Sequence, residues 1–139
     1  MFHYIVWKEK SKMKRIIVAI QNNLVSEVIT EVLKSKGMYV LKSISSDIQT
    51  ITTLCDTFFA DILVMDVTRF NEGTIENRTK IIDMVKKFNS EIKVCLICDN
   101  ISDNELSYRV TNAKALGFID AFFYQSVPSD YIADVISTM

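Results

Sequence analysis

Asp66 closes the apolar run Ile62-Leu63-Val64-Met65, and a polar, turn-like stretch follows from Thr68 to Gly73. A carboxylate at the carboxyl end of a buried parallel strand stands where open α/β sheets build their sites. It is costly to bury and is rarely there by accident. Whether it can do chemistry depends on the company it keeps. Cys95 and Cys98 offer a second candidate chemistry, because C-x-x-C spacing suits redox or zinc work. Both fall on one strand, however, where residues three apart face opposite ways and lie roughly 10 Å apart along it. No bridge closes in that geometry. The three cysteines therefore read as small buried hydrophobes in a reducing cytoplasm. The only histidine, His3, precedes the regular part of the chain, which leaves no His-based triad or relay there. No glycine-rich loop follows Ile20, where a dinucleotide or P-loop fingerprint would lie.

The elements that must position Asp66 alternate regularly. Ile16–Ile20 is an apolar run suited to a strand buried on both faces. Leu24, Val25, Val28, Ile29, Val32 and Leu33 recur at helical spacing until Gly37 stops the pattern. Tyr39–Ile44 reads as a second strand, and Ser46 or Asp47 can cap a helix carrying Ile48, Ile51, Leu54, Cys55 and Phe58. Ile62–Asp66 is the third strand, with a helix through Ile81, Ile82, Val85 and Phe88 after it. Val94–Cys98 is the fourth. Ser102 or Asp103 can cap the next helix, which turns Leu106, Val110, Ala113 and Leu116 inward and ends at Gly117. Ala121–Tyr124 is a short aromatic fifth strand. Pro128 and Ser129 open a last helix with Tyr131, Ile132, Val135, Ile136 and Met139 on one face. Strands alternating with helices imply a parallel sheet covered on both faces, a doubly wound (βα)5 α/β domain.

The chain of 139 residues suits one domain with a proper core. A net charge of −1 gives no electrostatic case for nucleic acid or anionic membrane. No apolar run approaches the roughly 20 residues of a membrane span. The N-terminus has no secretion-signal pattern, so the expected location is cytoplasmic. Residues 1–13 read as an extension, apolar from Phe2 to Trp7 and then rich in lysine, ahead of a domain at 14–139.

From about Lys14 to Met139 the order and spacing resemble the receiver domain of bacterial response regulators, the phosphorelay modules of two-component signalling. The most specific segment is Ala60-Asp61-Ile62-Leu63-Val64-Met65-Asp66, which looks like that family's third strand with its phospho-acceptor aspartate. The resemblance implies a flavodoxin-like five-stranded parallel sheet of order 2-1-3-4-5. It places Asp66 as the candidate phospho-acceptor, fed by a histidine kinase. It also implies a Mg²⁺ ion held by an acidic pair after strand one, by the aspartate, and by a backbone carbonyl two residues on. A Ser or Thr ends strand four in the family, and a Lys ends strand five. Mg²⁺ wants hard oxygen ligands and neutralises the charge that builds as phosphate meets carboxylate. The Lys and the hydroxyl hold the phosphoryl oxygens.

This sequence departs from the pattern as a set. The acidic pair falls on Ile20 and Gln21, with Asn22 and Asn23 following. Thr68 takes the backbone-ligand position, which any residue can fill. Cys98 stands at the hydroxyl position and Gln125 at the lysine position. Asp66 is then the one kept member, with Asp99 as a possible neighbour. Left without a cation, its pKa is expected to rise by desolvation.

The resulting expectation is an atypical receiver that is not an enzyme. It carries no cofactor and works by protein contact, as a partner or homodimer, through the face of helix four, strand five and helix five. Tyr108 and Arg109 are candidate contacts there. Phe122 falls near the family's aromatic switch position, where plain core packing is the blander role. Two alternatives stand beside it. One is a receiver still phosphorylated on Asp66 with Mg²⁺; the other is an unrelated doubly wound domain for a nucleotide or cofactor.

Overall fold

A computed structural model of the chain describes residues 13–69, 71–98, 104–115, 117 and 119–139. Residues 1–12 of the expected extension lie outside that set, as do Asp99, Ser102 and Asp103. The elements run β1 (Arg15–Ala19), α1 (Asn23–Ser35), β2 (Tyr39–Lys42), α2 (Ile48–Phe58), β3 (Ile62–Val67), a short 3₁₀ turn (Asn71–Gly73), α3 (Ile75–Phe88), β4 (Lys93–Cys98), α4 (Asn104–Ala115), β5 (Ala121–Tyr124) and α5 (Ser129–Thr138). All strand pairings are parallel and the sheet order is β2-β1-β3-β4-β5. This is the expected (βα)5 arrangement, with strand ends shifted by a residue or two. The largest shift is in β2, which stops at Lys42. Ile44, expected to extend it, is 99% exposed beyond the sheet, because the chain has already turned toward α2.

The period-two alternation of the strands divides the core in two. One half packs Ile17, Leu63, Met65, Val94 and Leu96 against α2, α3 and Val110 of α4. The other packs Ile16, Val18, Val64, Ile97 and Phe123 against Ile29 and Leu33 of α1 and Ile132 and Ile136 of α5. Cys98 belongs to the first half and Cys95 to the second, so they face opposite sides of β4 as their spacing requires. All three cysteines are buried and unbridged. Burial pushes the Cys55 thiol up to about 12, far from the thiolate form that reacts.

Helix ends follow local chemistry. Asn22 caps α1 by accepting the Val25 N–H, Asp47 caps α2 through the Thr50 N–H, and Thr74 caps α3 through the Asn77 N–H. Gly37 follows the end of α1 at φ 84°, a conformation that suits glycine. Not every apolar residue at helical spacing is buried. Leu24 is 75% exposed, and Val28 and Tyr131 also face outward. The side chains of Leu106, Ala113 and Leu116 lie outside the described residues, while Val110 is buried as expected.

Candidate functional site

The carboxyl edge of the sheet brings together the ends of β1, β3, β4 and β5. Asp66 is the penultimate residue of β3, in register with Ile97, and is only 5% exposed. An ionised carboxylate at that depth needs partners. Arg78, one turn into α3, supplies the main one. Its Nη2 lies 2.7 Å from Asp66 Oδ1, and the arginine is 0% exposed. The other carboxylate oxygen, Oδ2, accepts the Gln21 backbone N–H at 3.1 Å.

The guanidinium is held on several sides at once. Its Nε donates to the Asp66 backbone carbonyl at 2.8 Å, Nη2 donates to the Ala19 carbonyl at 3.3 Å, and Nη1 to the Ser46 carbonyl at 3.4 Å. Burial draws the Arg78 pKa below its ordinary value, and the charge and hydrogen bond of Asp66, with Glu72 beyond, offset that only in part. The planar fork of an arginine suits this multiple capture. Expecting an uncompensated carboxylate here was therefore wrong in its premise: Asp66 has a cation, though one supplied by a side chain.

Arg78 belongs to no site position that the receiver resemblance implies. A signal for it was nonetheless present. Ile75, Ile81, Ile82 and Val85 mark the buried face of α3, and Arg78 falls on that face at the same spacing. A charge on an apolar stripe must be paired, and Asp66 was the buried carboxylate in need.

The remaining expected site positions have definite places in the structure. Ile20 is buried in the core under α1 and α5. Gln21 lies over the loop after β3, where a Cβ on Gly73 would sit 2.7 Å from Gln21 Oε1 and 2.4 Å from Thr68 Oγ1. Only glycine lets the loop approach this closely. Thr68 donates its N–H to the Gly73 carbonyl at 2.8 Å, which closes the loop upon itself. Asn22 spends its side-chain oxygen on the α1 cap. Cys98 is 1% exposed and in register with Val67. Gln125 donates its backbone N–H to the Cys98 carbonyl at 2.8 Å. Its side chain borders a mainly apolar groove of about 260 Å³ between α1 and α5. Phe122 packs edge-on to Tyr124, ring centroids 6.1 Å apart, against the core. Tyr108 is 73% exposed on α4, and Arg109 pairs with Glu76 of α3.

Solved structures with the same architecture decide the fold. A CheY-like response regulator receiver domain from Methanospirillum hungatei is 16% identical, with a TM-score of 0.69 over 91% of this chain and 93% of that one. An orphan response regulator from H. pylori, HP1043, is 17% identical, with a TM-score of 0.69 over 90% of this chain and 94% of that one. The Thermotoga maritima response regulator TrrA, solved with Mg²⁺ and BeF, is 16% identical, with a TM-score of 0.69 over 91% and 98%. The chain has the receiver-domain fold. No family model matches the sequence, and no curated protein does.

A receiver fold raises the question of Mg²⁺, and the described residues do not fit that ion. Among them the expected ligand positions offer one carboxylate, Asp66, both of whose oxygens are already engaged. The neighbouring side chains after β1 are apolar or neutral, and a buried guanidinium sits at the carboxylate where a dication would be repelled. Among the described residues no group of three or more His, Cys, Asp or Glu could hold a metal. Nor, among them, is any helix long and apolar enough to cross a membrane.

Proposed function

We propose that this receiver-like domain serves signal transduction through protein–protein contact, without catalysing metal-dependent phosphotransfer. One observation carries the reading. The aspartate where the fold's phosphoryl chemistry would occur is buried, with one oxygen on Arg78 and the other on the Gln21 N–H. A phosphoryl donor needs an accessible carboxylate oxygen and a cation to absorb the charge that develops. Here the first is engaged and the second is tied down by four hydrogen bonds.

The partner or second copy binds the face of α4, β5 and α5, with Tyr108 as its most exposed aromatic side chain among the described residues and Arg109 beside it. Aromatic residues and arginine are the side chains that protein interfaces favour. The protein works in the cytoplasm, in keeping with its three buried, unbridged thiols.

The test is direct. The protein is incubated with MgCl₂ and a small phosphodonor, and its intact mass is measured beside an Asp66→Asn control. Unchanged mass in both is expected. A gain of one phosphoryl group by the wild-type chain alone would establish instead that Asp66 is still a phospho-acceptor.

A further inference from the structure

Four oxygens from three separated stretches of chain converge on the Arg78 side chain. They are Asp66 Oδ1 at 2.7 Å and the backbone carbonyls of Asp66 at 2.8 Å, Ala19 at 3.3 Å and Ser46 at 3.4 Å. One anionic and three neutral oxygens form the kind of set that a hard cation collects. They come from the end of β1, the end of β3 and the loop entering α2, and the arginine delivering the charge belongs to α3. We infer that the Arg78 guanidinium is the resident cation of this site, permanently tying those segments together and leaving no place for a divalent ion.

Electrostatics and geometry both lead there. The guanidinium is planar, keeps its charge when buried, and is less strongly hydrated than a small metal ion, so it can occupy a dry pocket with one carboxylate. Mg²⁺ dehydrates reluctantly and asks for near-octahedral oxygen coordination. The loop after β3 is closed over the same edge, with Gly73 against Gln21 and Thr68. The inference rests on the reading that the site does not run metal-dependent chemistry, and it states what fills the cation's role instead. The domain is thereby held in one state at this edge, whatever the supply of divalent ions.

Nitrogen-15 NMR of the wild-type chain tests this on the arginine itself. The Arg78 Nε–H is expected to exchange with water about 100-fold more slowly than that of Arg109, as a proton released only by opening of the structure does. Its signal should not move on adding about 10 mM MgCl₂, with or without beryllium fluoride. Exchange of Arg78 within a factor of about ten of Arg109, or a shift of its signal with MgCl₂, overturns the inference. A second measurement uses Arg78→Ala, which leaves the four oxygens around an empty cavity. Its melting temperature should rise with MgCl₂ or CaCl₂, while neither the wild type nor Asp66→Asn/Arg78→Ala responds. A folded Arg78→Ala protein that neither ion stabilises overturns the inference too, and if that variant does not fold the wild-type NMR result decides. The two readings fail separately. Phosphorylated Asp66 with Arg78 still protected sinks only the proposed function, whereas an unprotected Arg78 in a protein that takes no phosphoryl group sinks only this one.

Discussion

Asp66 and Arg78 stabilise the fold only as a pair. Each ion alone would be a charge in a nearly dry interior, and removing one member of such a pair typically costs about 3–5 kcal/mol. Arg78→Met should therefore lower unfolding stability by about that amount, read by urea titration. Replacing both, as Asp66→Leu/Arg78→Met, should recover part of the loss, because no charge is then left alone. Recovery should stay incomplete, since the Ala19, Ser46 and Asp66 carbonyls lose their donor as well. A double variant as unstable as Arg78→Met would show that the carbonyl contacts dominate over the ion pair. At this scale the sequence was half legible. Asp66 stood out because a carboxylate ended an apolar run. The substitutions at Ile20, Gln21, Cys98 and Gln125 could be read by position. Arg78 belongs to no such position: its place on the apolar face of α3 marks it as a charge in need of a partner, but which partner depends on α3 bringing it back over β3 from 12 residues along the chain.

Helices α1, α2 and α3 begin where a short polar side chain takes an orphan N–H, and of these three caps only that of α2 is titratable. Asp47 accepts the Thr50 N–H at 3.0 Å and also contacts the hydroxyls of Ser45 and Thr50. The Ser45 hydrogen bond is the largest of the effects that hold its carboxyl down to about 2, below its ordinary value of 3.8. A carboxylate whose pKa is depressed on folding stabilises the fold above its unfolded pKa and loses that contribution as pH falls through the folded value. The cap should weaken between about pH 4 and pH 2. Asp47→Asn, which caps without titrating, should remove this part of the acid sensitivity. Melting curves of the two proteins across that range check it, and parallel pH profiles would refute it. Elements as a class were readable from the sequence because continuous apolar runs and capping residues are local signals. Their exact ends were not. Tyr39–Ile44 looked like one strand, yet pairing with β1 ends at Lys42, since β1 offers Val18 as its last partner there.

The two halves of the core share one sheet, so the molecule is expected to unfold as a unit from its edges inward. Among the described residues β1, β3 and β4 are each paired on both sides, whereas β2 and β5 have one neighbour apiece. Native-state hydrogen exchange should find the amides of Leu63, Val64 and Leu96 opening only with global unfolding, and those of β2 and β5 opening earlier. Equal protection across all five strands would contradict that order. The (βα)5 order was legible from alternation alone, while the closing of the site's edge was not, because it depends on contacts between distant segments. The Arg78 tether also bears on kinetics. A metal ion leaves its ligands at some rate, and a chelator or a phosphatase can exploit that moment to reset a signalling domain. An arginine anchored on a packed helix cannot diffuse away, and its local concentration is set by the chain and not by the cell. Only events strong enough to loosen the first turn of α3, or to bind elsewhere on the surface, can change what this edge presents.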